Sequence, residues 1–283
     1  MAQKKKVSAV ITAQKEIAPD IFDMWMQTEL AKEAKAGQFV AVYPKNESTL
    51  LPRPISICEV DEKGEKLRIV YRIAGKGTRE FSAYKEGEKA AILGILGNGF
   101  PIERELSTEG EFSMERETST ERKQIFLMGG GIGIPPMLEL AKELSACAGQ
   151  NNSQSPELRI ILGYRDANLF LKEDLEKYGD VYIATEDGSV GTKGNVMDAI
   201  RENNLHADAI YACGPMPMLR AIKTYAKEQK IKAYISLEER MACGVGACLG
   251  CVCKTKNVDH HSHVKNARIC TDGPVFEADE VEI

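Results

Sequence analysis

Four cysteines near the end of the chain have the spacing of a metal site: Cys243, Cys248 and Cys251 follow a C-x4-C-x2-C pattern, and Cys270 lies further on. Thiolates so spaced are the ligand set of a plant-ferredoxin-type 2Fe-2S cluster. Three ligands on one short loop must converge on two irons. Gly244, Gly246 and Gly250 let the backbone curl there and turn amides toward the sulfurs. A structural zinc site is the alternative, but it usually carries two C-x2-C knuckles or one knuckle with paired histidines, and the sequence has one knuckle. Cys253, two residues past Cys251, is expected to be spare. His260, His261 and His263 lack the C-x-H spacing of a Rieske centre and read as a solvated loop before the fourth ligand.

A second group suits phosphate binding. Gly129, Gly130, Gly131 and Gly133 lie between the apolar run Ile125–Met128 and a segment that Pro135 or Pro136 can start as a helix. Backbone amides and a helix N-terminus would then face an anion. The spacing is not the usual dinucleotide fingerprint, and a tight strand-to-helix turn also uses glycine. Asp166 follows the second strand of this region, where a carboxylate can accept from a ribose 2′-hydroxyl and repel a 2′-phosphate; Arg165 beside it works the other way. Three further segments, Arg53-Pro54-Ile55-Ser56, Tyr71-Arg72 with Gly77-Thr78, and Gly97-Asn98-Gly99-Phe100, are each readable as ordinary surface and turn residues.

The elements that must carry these residues change character along the chain. Up to about residue 101 the sequence has short alternating runs, such as Phe39–Tyr43, Leu67–Tyr71 and Ala90–Leu93, separated by glycine, proline and charge, which indicates a small antiparallel barrel or sandwich. Residues 103–124 are polar and aperiodic and read as a linker or surface insertion. Buried-strand signals at Ile125–Met128, Arg159–Leu162, Val181–Ala184 and Ala209–Ala212 then alternate with helical segments, the pattern of a parallel α/β sheet. Residues 151–155 read as a polar loop within it. The expected organisation is a multidomain α+β chain: an N-terminal antiparallel β-barrel (1–101), a parallel α/β nucleotide-binding domain (102–236) and a small C-terminal iron–sulfur domain (237–283).

Composition narrows the partners. With 42 acidic against 37 basic residues among 283, the chain has a net charge of −5, which disfavours nucleic acid and anionic membranes. No apolar run approaches the roughly 18 residues a membrane helix needs, and the lysine-rich start is broken by polar residues before a signal-peptide core can form. The expectation is a cytoplasmic protein. Five of the eight cysteines fall between Cys243 and Cys270, which in a reducing compartment suggests metal ligation. No Ser-His-Asp or paired-carboxylate arrangement suggests hydrolysis.

Taken together and in this order, Arg-Pro-x-Ser, Gly-x-Gly-Thr, Gly-Asn-Gly-Phe, Gly-Gly-Gly-Ile-Gly and Cys-Gly-Pro resemble the ferredoxin–NADP reductase superfamily over residues 1 to about 236. The ending Leu237–Cys248 is similar, more narrowly, to the electron-transfer subunits of NAD-dependent dihydroorotate dehydrogenases, which extends the resemblance over the whole chain. The resemblance implies a flavin barrel in which Arg53, Pro54, Ile55 and Ser56 contact FAD, with Tyr71, Arg72, Gly77, Thr78 and Asn98 around the rest of it. It makes Gly129–Gly133 the floor of an NAD site and puts Cys213, Gly214 and Pro215 beside the nicotinamide. It also implies an FMN-containing dihydroorotate dehydrogenase catalytic subunit as partner, two of each chain, in pyrimidine biosynthesis. A flavin suits the middle position because a nicotinamide exchanges two electrons at once and an iron–sulfur cluster one. The alternatives are a related subunit of a hydrogenase, sulfide dehydrogenase or NADPH–ferredoxin oxidoreductase, and a cluster-bearing redox sensor.

Overall fold

A computed structural model describes residues 4–46, 49–102, 122–147, 155–258 and 263–283. The stretch expected as a linker lies outside the described residues up to position 121, as do 151–154 of the polar loop and both His260 and His261.

Alternating side chains close the first six strands into an antiparallel barrel: β1 (Lys5–Ala18), β2 (Ile21–Gln27), β3 (Phe39–Tyr43), β4 (Arg53–Val60), β5 (Lys66–Arg72) and β6 (Lys89–Leu96), in the order β1-β2-β5-β4-β3-β6. Closure leaves no free sheet edge. Ile11, Met24, Met26, Val40, Val42, Ile57, Leu67, Ile69 and Ile92 fill the interior, joined by Phe81 from the short helix α1 (Lys76–Phe81).

The second unit is a seven-stranded sheet of order β10-β9-β8-β7-β11-β12-β15. Its parallel strands are β7 (Gln124–Gly130), β8 (Glu157–Tyr164), β9 (Asp180–Thr185), β10 (Thr192–Lys193), β11 (Ala209–Cys213) and β12 (Lys232–Ser236). The helices are α2 (Pro136–Ala146), α3 (Lys172–Leu175), α4 (Val196–Glu202) and α5 (Met216–Gln229). Strand β7 shows why an unbroken apolar run was needed. Phe126 and Met128 point into one core, Ile125 and Leu127 into the other, and all four are fully buried.

The tail folds as a small hairpin of β13 (Val252–Lys254) and β14 (Asn266–Arg268), and then returns. Its last strand, β15 (Val275–Glu277), pairs antiparallel with β12, aligning Ile235 with Phe276. The 237–283 segment is therefore continuous with the nucleotide sheet at its far edge.

Barrel and sheet share a core. Ala36, Cys58, Val70 and Phe100 of the barrel pack with Ile134, Leu138 and Tyr211. Polar contacts flank it: the Glu139 carboxylate accepts from the Val60 amide (2.8 Å), and Glu143 accepts from the Ala36 amide (2.8 Å). Burial raises both carboxyls above the usual range, against these amide bonds. Beside them, the Arg68 guanidinium makes two 2.9 Å bonds to Asp23, one of 2.9 Å to Glu59 and one of 3.0 Å to Asp174 of α3. Burial works against the Arg68 charge, and its hydrogen bonds to Asp23 and Glu59 more than offset it, so the group stays protonated.

Arg68 and Asp23 side chains are only 9% and 2% exposed, so removing the cation strands a buried carboxylate. Arg68→Met is expected to destabilise the protein by roughly 3–5 kcal/mol, read from the urea-unfolding midpoint. Asp174→Asn, on a partly exposed arm of the same cluster, should cost under about 1 kcal/mol.

Candidate functional site

The strand order reverses between β7 and β11, so the loops leaving the C-terminal ends of these neighbours diverge and open a crevice, the usual ligand position in such sheets. After β7 the chain makes a 3₁₀ turn at Gly131–Gly133 and enters α2 through Pro135; after β11 it passes Gly214 and Pro215 into α5. The two glycine motifs noted in the sequence are thereby brought face to face. A Cβ on Gly133 would lie 2.3 Å from the Cys213 carbonyl oxygen and 2.6 Å from the Gly214 nitrogen, so no larger residue fits. Two helices of 11 and 14 residues begin at this crevice, so the positive ends of both helix dipoles face it. Asp166 lies in the loop after β8, where its carboxylate accepts from the Asn168 amide (2.9 Å) and side chain (2.7 Å).

Cys213 ends β11 opposite Ser236 of β12. Burial pushes its thiol well up, Glu238 adds to this and the Ser236 hydrogen bond opposes it, so the sulfur is a protonated thiol at neutral pH. Glu238 faces a cleft of about 600 Å³ lined by Leu51, Pro52, Arg53 and Pro54 of the barrel and by Glu238–Met241. Surrounding protein pushes the Glu238 carboxyl above its usual range, with the Arg72 guanidinium pulling the other way. Cys213, Glu238, Arg72 and Arg53 thus mark one continuous region from the nucleotide crevice to the barrel. A volume of several hundred Å³ with a few convergent charged groups suits a cofactor.

The barrel residues singled out in the sequence separate into two groups. Arg53 lies across Gly77, where a Cβ would come 3.0 Å from its Nε, and Pro54, Ile55 and Ser56 continue along β4 half-exposed. Tyr71 is sealed in the barrel core with its hydroxyl donating to Gln14 (2.9 Å), so its side chain is closed off from the cleft; strand alternation turns its neighbour Arg72 outward. The Thr78 hydroxyl accepts from the Ala74 amide (2.8 Å) and shapes the turn into α1. Asn98, grouped with the flavin residues by its sequence neighbours, directs its amide at the tail, to the Thr271 and Asp272 carbonyls. Glu238 has no signal of its own in the sequence, where it is one residue of the stretch before Cys243. Its signal lay in the topology, at the end of a strand beside Cys213.

The tail cysteines come in two pairs. Cys243 and Cys248 are hydrogen-bonded to each other, and the amides of Val245, Ala247 and Cys248 also point at the Cys243 sulfur; against burial, these bonds bring its thiol down to about 6. Cys251 and Cys270 form the second pair, and burial followed by the Cys251 contact pushes Cys270 up to about 12, while the Gly246 amide works in the opposite direction. Among the described residues no three His, Cys, Asp or Glu side chains converge as the ligands of a single metal ion. Two thiol pairs with amides turned to the sulfurs suit two irons with two thiolates each. The second pair is buried beside Leu96, Phe39 and Ala41 of the barrel, whereas Cys248 is exposed near Val245 and Leu249. Cys253 sits in β13 opposite Ala267, with its thiol raised to about 11 by burial, to which the nearby Cys251 adds.

Residues 238–282 match the iron–sulfur cluster binding domain of dihydroorotate dehydrogenase B, and residues 127–224 match an oxidoreductase NAD-binding domain. The chain is 40% identical over 281 residues to the dihydroorotate dehydrogenase B (NAD(+)) electron transfer subunit of Bacillus cereus, covering 98% of each chain. It is 38% identical over 282 residues to that of Bacillus velezensis, covering 99% of this chain and 100% of the relative. Among solved structures, a chain of an NADH-dependent reduced ferredoxin–NADP oxidoreductase studied for flavin-based electron bifurcation superposes with a TM-score of 0.78 at 27% identity, covering all of this chain and 91% of that one. A Neisseria gonorrhoeae ferredoxin–NADP reductase shares the fold, with a TM-score of 0.62 at 15% identity over 84% of this chain and 95% of that one. Among the described residues no helix is long and apolar enough to cross a membrane. With full-length relatives at this identity, a matching cluster domain and a nucleotide crevice joined to a barrel cleft, the chain belongs to the family of dihydroorotate dehydrogenase B (NAD(+)) electron transfer subunits.

Proposed function

We propose that this chain carries electrons from the FMN of a dihydroorotate-oxidising catalytic subunit, through a 2Fe-2S cluster and FAD, to NAD⁺, in an assembly of two copies of each chain. The observation that carries the reading is the adjacency of three sites: the buried cysteine pair against the barrel, the cleft between Arg53 and Glu238–Met241, and Cys213 at the nucleotide crevice. Held there, the nicotinamide would supply hydride exchange, the flavin conversion between two-electron and one-electron steps, and the cluster single-electron carriage.

The residues have binding and positioning roles. Arg53, planar and always charged, suits the FAD pyrophosphate, with Pro54, Ile55, Ser56, Arg72, Gly77 and Thr78 shaping the same face. Gly129, Gly130, Gly131 and Gly133 form the floor for the NAD phosphates. Cys213, Gly214 and Pro215 pack beside the nicotinamide, and the high thiol pKa keeps Cys213 from acting as a nucleophile. Cys243, Cys248, Cys251 and Cys270 are the cluster ligands. The exposed Cys248 and its apolar neighbours Val245 (38%) and Leu249 (64%) form the side from which a partner delivers electrons.

The ligand assignment is tested by five single Cys→Ser variants at positions 243, 248, 251, 253 and 270. The four ligand variants should lose the visible cluster absorption and Cys253→Ser should keep it; an unaltered cluster in Cys270→Ser would remove that residue from the set.

The division of labour is tested by half-reactions. NADH should reduce a dye through the purified chain, while dihydroorotate should reduce nothing until the catalytic subunit is added. Reduction of the isolated chain by dihydroorotate would contradict a two-subunit scheme.

Nucleotide preference is tested at Asp166. Asp166→Ser is expected to lower the ratio of kcat/KM for NADH over NADPH by roughly tenfold, about 1.4 kcal/mol of discrimination. An unchanged ratio would show that Asp166 does not set it.

A further inference from the structure

The last barrel strand runs directly into the tail. Past β6, Gly97 takes φ +76°, and a Cβ there would lie 2.5 Å from Pro274 Cδ, so the barrel end and the 271–274 segment touch backbone to backbone. Gln38 holds this end of the barrel by donating to the Gly97 carbonyl (2.9 Å). Asn98, next in line, has three N–H donors, and all three go to the tail. Its backbone amide donates to the Gly273 carbonyl (2.6 Å), and its side-chain amide donates to the Thr271 (3.2 Å) and Asp272 (2.9 Å) carbonyls.

These carbonyls belong to the turn that presents Cys270. The turn is closed from within: the amides of Thr271, Asp272 and Gly273 all donate to the Arg268 carbonyl, and the Asp272 carboxylate accepts from the Arg268 backbone (2.7 Å) and guanidinium (3.0 and 3.1 Å). The inner bonds fix the turn's shape. The three bonds of Asn98 tie the outward carbonyls of Thr271, Asp272 and Gly273 to the barrel, which also carries Arg53 and the cleft.

We propose that Asn98 is a positioning residue for the iron–sulfur cluster, docking the Cys270 turn onto the barrel and so setting where the cluster sits relative to the flavin cleft. The proposal rests on the cluster reading of the four cysteines. It assigns Asn98 to the cluster, where its sequence neighbours pointed to the flavin. Asparagine suits the task because two side-chain N–H groups meet two carbonyl oxygens. Aspartate of the same shape would set a carboxylate against those oxygens and add a negative charge two residues from the ligand.

The test uses the full chain with Asn98→Ser, Asn98→Ala and Asn98→Asp, each carrying cluster and flavin. The readouts are the electron paramagnetic resonance spectrum of the reduced cluster, its midpoint potential, and the rate at which a chelator bleaches it. The backbone bond to Gly273 survives in every variant, and flavin stoichiometry reports whether the barrel is intact. Bleaching should accelerate several-fold in the order Ser, Ala, Asp, because serine keeps one donor, alanine none, and aspartate repels. The spectrum should change in the same order. Asn98→Asp should also shift the potential downward, since a nearby negative charge favours the oxidised cluster. Unchanged spectrum, potential and bleaching in all three variants would overturn the role, and so would loss of flavin with an unaltered cluster. Iron and acid-labile sulfide analysis of the unsubstituted chain separates the two levels: absence of both fails the cluster reading itself and the Asn98 role with it, whereas a normal cluster indifferent to Asn98 fails only the role.

Discussion

A short tail that must present four thiols cannot bury enough apolar surface to hold itself in place. Segments of about 40 residues rarely support an independent core, and the tail's own strands are three residues each. The structure meets this constraint by lending the tail two existing cores. Strand β15 extends the parallel sheet by pairing with β12, while Cys251, Ile269 and Cys270 are absorbed into the core that contains Phe126, Ile210 and Ile235 of the sheet and Phe39 and Leu96 of the barrel. The cluster loop is therefore clamped from two sides, and the positions of the two larger units decide where its sulfurs lie.

That dependence raises the demand on the barrel–sheet contact. A slip between these units would displace both the cleft walls and the cysteine turn. Apolar packing through Phe100, Ile134 and Tyr211 supplies non-directional adhesion, and the charged groups around it supply register. Glu139 and Glu143 each cap a barrel amide from consecutive turns of α2, the helix that also opens the nucleotide crevice. Arg68 joins the barrel acids Asp23 and Glu59 to Asp174 on the sheet side. A buried ion group of this kind adds little net stability over an apolar replacement, yet breaking it is costly, which makes it better suited to fixing geometry than to strengthening the fold.

Much of this architecture was legible because local pattern and final burial coincide. The runs Phe39–Tyr43, Leu67–Tyr71 and Ala90–Leu93 fall inside β3, β5 and β6, and Ile125–Met128 inside β7, since alternation and unbroken apolarity are what a barrel wall and a doubly covered strand require. The four cysteines were visible by spacing alone. Long-range pairing was not visible: Val275–Glu277 has too few residues to show a period, and its partner lies some forty residues earlier in the chain. The same limit explains Tyr71 and Asn98. A sequence motif places neighbours on one segment, but a strand turns Tyr71 inward and Arg72 outward, and the partner of Asn98 is distant in sequence. Glu238 owes its place to topology, because β12 ends beside β11.

The asymmetry of the cysteine pairs follows from the way the tail is seated. The loop leaves β12 along the cleft, carries the half-buried Cys243 and the exposed Cys248, and continues to Cys251, which is buried with Cys270, so one pair is partly open to solvent and the other is enclosed. A cluster held between such pairs sits in a graded environment, with amide donors on both sides and bulk water on one. Burial disfavours added charge and amide bonds favour it. The open end, framed by Val245 and Leu249, is the one that a second protein can cover, and covering it would remove the solvent from a side of the site that the chain's own packing leaves wet.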